Sequence, residues 1–229
     1  MKDIKKLQSN LELEFHNLDL LKQSVVHRSY LNENPGFELA HNERLEFLGD
    51  AVLELVVTDF LYRSYDNPEG ELTNWRASLV NAKMLASLAK DLGVDDFLYL
   101  SRGEAKDSNS KARDYILANA FEAIVGAIYI DSGYEAASNF IHHFLLPKLP
   151  EILESQSYRD PKSKFQEIAQ EKMTITPHYE VLTETGPDHN KRFVVGLFID
   201  KELVAKGEGS SKQEAQEKAA EEGLAVKGW

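Results

Sequence analysis

Along the first 146 or so residues apolar positions recur at steps of three and four, whereas beyond residue 175 they gather into short β-branched and aromatic runs. The first pattern predicts helices near 3–12, 18–27, 39–65, 73–91, 112–132 and 134–146. Pro35-Gly36, Asn67-Pro68-Glu69-Gly70, Leu92-Gly93 and Ser132-Gly133 mark the gaps between them. Within 39–65, Leu45, Leu48, Val52, Leu55 and Val56 form the stripe that a helix buries against a core. The stretch from Pro147 to Asp160 holds two prolines and no sustained period, so it reads as a boundary. A helical domain over 1–152, a linker over 153–159 and a second domain over 160–229 are expected.

The second domain opens with Asp160-Pro161, a helix cap followed by proline in the first turn, and Phe165, Ile168 and Ala169 supply an apolar face. The period then shortens to two. Tyr179–Thr183, Phe193–Ile199 and Glu202–Ala205 read as three antiparallel strands. Ser211-Lys212-Gln213-Glu214 is a capping box, and Ala215, Ala219, Ala220, Leu224 and Ala225 give the closing helix its buried side. The expected architecture is an all-α domain followed by a small α+β module of order α-β-β-β-α.

Composition narrows the function classes. The chain of 229 residues is 42% hydrophobic and 28% charged, as expected of a folded protein rather than a disordered one. With no cysteine, disulfides and thiolate metal sites are excluded, which fits a reducing compartment. The N-terminus lacks the apolar core of a secretory signal, and the run from Ile116 to Ile130 is interrupted by Asn119 and Glu122, too polar to span a membrane. A cytoplasmic protein without a membrane partner is expected. The net charge of -12 argues by itself against a polyanionic ligand. It is unevenly spread, however: residues 1–155 carry 15 Lys+Arg against 25 Asp+Glu, and residues 156–229 carry 11 against 13.

Much of that acid is patterned. Glu43, Glu46 and Asp50 follow one another at steps of three and four, so a helix stacks their carboxylates on one face. Adjacent like charges destabilise a helix by roughly 0.2–0.5 kcal/mol per pair, a repulsion that a bound divalent cation turns into attraction. Both a hard-metal site and a solvated acidic face fit this row. Asn119 and Glu122 repeat the three-residue step on a later helix, and Glu54 extends the first row by a turn, where it reads as exposed. His27 and His41 have no partner at metal-ligand spacing and read as structural or capping residues.

Several segments carry a resemblance. Asn42–Asp50, Ile116–Ala123, His27-Arg28-Ser29-Tyr30 and Trp75–Val80 resemble the nuclease segments of the ribonuclease III family. From about 160 onward, with Gly186-Pro187-Asp188-His189 and Gly207–Lys212, the chain is similar to a double-stranded-RNA-binding domain. The resemblance implies a homodimer, joined through the catalytic domain, that hydrolyses double-stranded RNA with Mg²⁺, which Mn²⁺ can replace. The products would bear 5′-phosphate and 3′-hydroxyl ends, as in the processing of rRNA and mRNA precursors. Mg²⁺ prefers octahedral oxygen ligands and retains waters, so carboxylates without histidine or cysteine suit it.

Carried over by position, Glu46, Asp50 and Glu122 fall on the family's metal-binding acids, with Asp50 and Glu122 catalytic. Asn119 stands where the family has mainly aspartate, so it keeps an oxygen ligand but brings no charge. Glu43 and Glu69 match auxiliary acids, and Phe47 matches a residue of the subunit interface. In the second domain, Gln166 and His189 would meet RNA 2′-hydroxyls, while Ser211 and Lys212 would hold a phosphate at a helix N-terminus. Gln213 and Glu214 are less basic than in relatives, and Lys218, about two turns on, is placed to compensate. Two rival readings remain at this point. A double-stranded-RNA-binding protein of the same fold could bind without efficient cleavage because of Asn119. A helical di-iron carboxylate protein would want Glu-x-x-His pairs, which Glu43 and Glu122 do not begin, their fourth residues being Glu46 and Val125.

Overall fold

The computed structural model describes residues 2–107, 110–156, 158, 160–187 and 191–229. They form two compact units, Met1–Tyr158 and Arg159–Trp229. The first is all helical: α1 Ile4–Asn10, α2 Leu18–Ser24, α3 Arg28–Glu33, α4 Glu43–Ser64, α5 Glu69–Leu79, α6 Ala82–Asp91, α7 Lys111–Phe144 and α8 Leu149–Ser155.

Local chemistry explains where these boundaries depart from expectation. α4 starts at Glu43 rather than 39 because Asn42 is buried and committed elsewhere, its amide donating to the Ser24 carbonyl (3.1 Å) and its backbone N–H to the Val26 carbonyl (2.9 Å). The helix expected over 73–91 is two, α5 and α6, because Asn81 adopts an extended backbone and its side chain accepts the Met84 N–H at 2.9 Å. α7 joins the helices expected over 112–132 and 134–146, and it breaks where expected, at Gly133, whose φ of 83° no helix accommodates. Two helices lie outside the expected set. α3 is a short helix capped by His27, which accepts the Ser29 N–H. α8 forms inside the segment read as a boundary, because Pro150 sits in its first turn, where the missing N–H is not needed, and Leu149 and Ile152 bury against the core. Leu55, assigned by its spacing to the buried stripe of α4, is instead 56% exposed.

α4 and α7 form the centre of this unit. Val52, Leu53, Val56 and Val57 of α4 join Ile116, Leu117, Phe121, Ile124 and Val125 of α7 in one core, which also takes in residues of the flanking helices. α7 is long and apolar enough to cross a membrane, but most of its apolar stretch is buried in this core. The two helices touch backbone to backbone. A Cβ on Gly49 would lie 1.7 Å from the Glu122 carbonyl oxygen, and one on Gly126 would lie 2.2 Å from that of Leu45.

The second unit is α9 Pro161–Met173, then β1 His178–Thr185, β2 Arg192–Ile199 and β3 Glu202–Gly209 in an antiparallel sheet of order β1-β2-β3, then α10 Lys212–Lys227. Along β2 every second residue, Phe193, Val195, Leu197 and Ile199, is buried. Leu197 and Ile199 pack with Phe165 and Ala169 of α9 and Ala219 and Ala220 of α10. Asp160 caps α9 by accepting the Ser163 N–H at 3.0 Å.

Because the atoms that would meet a Cβ at Gly49 are backbone, no rotamer change relieves the clash. Gly49→Ala should therefore destabilise the helical unit by about 3 kcal/mol, the upper range for overpacking. A fall of roughly 6–12 °C in Tm is expected by scanning calorimetry; a variant melting with the parent chain would mean that the helices are not in backbone contact.

Candidate active site

The glycine contact brings the acids of two helices together. Gly49 lies between Glu46 and Asp50 on α4, and its neighbour across the crossing is the backbone of Glu122 on α7. The electrostatics follow. The Glu122 carboxyl is pushed up to about 7, first by burial and then by the charges of Asp50 and Glu46. Burial also raises Glu46, with further repulsion from Glu43 and Asp50, while a hydrogen bond from the Asn119 side chain opposes the shift. The Asn119 amide thus favours the charged form of Glu46.

Counter-charges divide the acids into an outer and an inner group. Glu43, at one end of the row, has Arg28 Nη1 at 3.6 Å and His41 Nδ1 at 3.7 Å. Glu54, read from sequence as simply exposed, pairs at 3.0 Å with Arg76, whose Nη1 also donates to Thr58. Among the described residues, Glu46, Asp50 and Glu122 have no cationic partner. Negative charge with no counter-charge, all on hard oxygen donors beside an amide oxygen, is what a hard divalent cation neutralises. The donor set therefore fits Mg²⁺. Among the described residues no three His, Cys, Asp or Glu side chains stand ready-made in metal-ligating positions. A cation that keeps most of its waters needs no such closed cage.

The other residues singled out from sequence are dispersed. Glu69 begins α5, accepts from Thr73 at 3.0 Å, and lines a cleft of about 730 Å³ with Leu61, Tyr62, Tyr65, Leu72 and Arg76; it is not among the charges acting on the inner acids. Phe47, beside Glu46, points away from the core and is 81% exposed. On the second unit Gln166 is exposed on α9. At the start of α10, Ser211 accepts the Glu214 N–H at 3.2 Å, and Glu214 returns the bond to Ser210, accepting from its N–H at 2.9 Å. The Ser210 hydroxyl, its N–H and Lys218, 3.2 Å away, hold Glu214 at a pKa of about 2. Lys218 is thus engaged by Glu214, and Lys212 sits 5.7 Å above the Phe193 ring. His189 lies outside the described residues. Arg28 and Arg76 are the site residues that sequence reasoning missed. Both lie in segments already marked by motif, but only the fold shows which acid each one meets.

Comparison with known proteins matches both units. A family model described as ribonuclease-III-like covers residues 17–149, and one described as double-stranded RNA binding motif covers 161–227. Ribonuclease 3 of Carboxydothermus hydrogenoformans is 44% identical over 220 residues, spanning 95% of this chain and 93% of its own. That of Desulforamulus reducens is 41% identical over 218 residues, spanning 95% and 88%. A crystal structure of the nuclease domain of ribonuclease III from Campylobacter jejuni aligns with a TM-score of 0.58 and 38% identity, covering 66% of this chain and 98% of its own.

The raised Glu122 carboxyl couples the site to stability. It keeps its proton in the folded chain at a pH where the unfolded chain has lost it, so its contribution favours folding at acid pH and is lost as pH rises from about 4.5 through about 7. Without metal, Glu122→Gln should melt with the parent chain near pH 5 and above it at pH 8. After solvent screening the gain is on the order of 1 kcal/mol, or about 2–4 °C. Mg²⁺ should raise the parent's Tm and leave the variant's unchanged. Calorimetry at both pH values tests this, and a pH-independent difference would contradict it.

Proposed function

Because the chain belongs to the ribonuclease III family and is a double-strand-specific endoribonuclease, we propose that it hydrolyses its RNA with Mg²⁺ at the acids where α4 crosses α7, leaving 5′-phosphate and 3′-hydroxyl ends. The observation that carries this reading is the division of charge. The outer acids Glu43 and Glu54 each have an arginine, and the inner acids Glu46, Asp50 and Glu122 have no cation among the described residues. Glu46 and Glu122 would hold the metal, Asp50 would hold it or orient a water, and the Asn119 amide oxygen would complete the set. Bound Mg²⁺ supplies an activated water and stabilises charge on the phosphoryl oxygens. Glu122, pushed up to about 7 in the metal-free chain, would give up its proton to the solvent on taking a cation, since a carboxylate ligates only in its charged form.

The second unit binds the duplex by shape, since A-form RNA presents a wide minor groove of 2′-hydroxyls. Gln166 faces solvent for such a contact, His189 is assigned a second groove by the resemblance of Gly186-Pro187-Asp188-His189, and Ser211 and Lys212 meet a phosphate at the start of α10. Such an enzyme acts on structured precursors of rRNA and mRNA in the cytoplasm.

Two strands must be cut, and a twofold dimer does so with one protein surface. Phe47, Leu55 and Tyr62 are 81%, 56% and 78% exposed, and at 100° per residue they fall within about 80° of one another on α4. Antiparallel pairing of α4 with its copy, centred near Leu55, sets Phe47 against the partner's Tyr62 and the cleft beside it. Glu69, in that cleft, then stands near the partner's acids, which gives it an auxiliary role it lacks within one chain. The C. jejuni nuclease domain has itself been described with a flexible region involved in dimer formation.

A gel assay of a perfect RNA duplex with and without Mg²⁺ tests the chemistry. The parent chain should cut it only with metal, and Glu122→Gln should lower turnover by more than about 100-fold while still shifting the duplex. A parent chain that shifts the duplex without cutting would overturn the reading. Phe47→Asp should sediment as a monomer at micromolar concentration, where the parent is a dimer; a variant dimer would move the interface elsewhere.

A further inference from the structure

Arg28 is the exposed cation that touches the acidic row from outside. It occupies the first position of α3, whose N-terminus His27 caps, and its side chain is 70% exposed. Its guanidinium meets Glu43 at 3.6 Å, a single loose contact, whereas Arg76 at the other end of the row is half-buried, closer to its acid and bonded to Thr58 as well. Arg76 is therefore part of the scaffold, and Arg28 is free to change partners. An exposed pair of this kind is held weakly, and a guanidinium fork binds the two oxygens of a phosphate better than it binds one carboxylate oxygen. Glu43 and Glu46 are one turn apart, a rise of about 5 Å, and Arg28 lies beyond Glu43. A phosphate held by Arg28 would therefore lie about one helical turn along the acidic row from one held at the inner acids, a spacing suited to neighbouring phosphates of one strand.

We infer that Arg28 is a positioning residue that grips the phosphate adjacent to the scissile one, and that Glu43 is its counter-ion in the RNA-free enzyme. Binding exchanges Glu43 for RNA, so the acid keeps the guanidinium extended toward the site before substrate arrives. This rests on the proposed metal-dependent cleavage at Glu46, Asp50 and Glu122.

Steady-state cleavage of an RNA duplex in Mg²⁺ over a series of salt concentrations is the test. Arg28→Ala should raise KM by about tenfold and leave kcat within about twofold. It should also flatten the slope of log kcat/KM against log salt by about 1 for each phosphate that the arginine no longer neutralises. Arg28→Lys, which keeps the charge and loses the fork, should restore the salt slope and only part of the KM. Glu43→Gln should lower KM in the parent background and not in Arg28→Ala. Unchanged KM and salt slope in Arg28→Ala, or a loss confined to kcat, would overturn the inference. A parent chain that does not cut the duplex would instead overturn the reading on which it rests.

Discussion

Where α4 crosses α7, Gly49 and Gly126 leave no side chain between the two backbones, and this contact determines how near the acids of the two helices can come. Glu46 and Asp50 flank Gly49, and Glu122 lies one turn before Gly126, so the carboxylates are gathered around the point of closest approach. A larger residue at either glycine would wedge the helices apart. The burial and the repulsion that raise Glu46 and Glu122 would both relax, and with them any attraction for a cation. The apolar core on either side of the crossing supplies the free energy that holds these charges together.

Charge compensation then separates structure from function along a single row of acids. By spacing alone Glu43, Glu46, Asp50 and Glu54 look alike. The fold gives the first and last an arginine each and gives the middle two none among the described residues. A metal at the uncompensated acids would reverse the local sign, which is how a chain of net charge -12 would act on a polyanion.

The residues proposed to carry chemistry were legible in sequence because helical periodicity alone stacks Glu46 over Asp50 and Asn119 over Glu122, whatever the tertiary structure. Features that depend on packing were not. Leu55 fits the apolar stripe by spacing, yet it faces solvent, as do Phe47 and Tyr62, since period cannot distinguish a core face from an exposed apolar one. The join between α5 and α6 was hidden because Asn81 caps a helix inside an otherwise continuous apolar pattern. Glu69 matched an auxiliary acid by motif, but within one chain it faces a different cleft from the inner acids.

Asn119 is understandable against this background. It stands on the helix across the crossing from Glu46, and its amide opposes the upward shift of that carboxyl. A fourth carboxylate there would replace a donor with another repelling charge, beside a Glu122 already pushed up to about 7. Affinity for a divalent cation would rise, and the metal-free fold would carry the added repulsion. The amide would set the balance the other way, offering an oxygen ligand while adding no charge to the metal-free fold. A functional site weakened in charge in this way trades affinity for stability, the compromise expected where like charges must be held together in advance of their ligand.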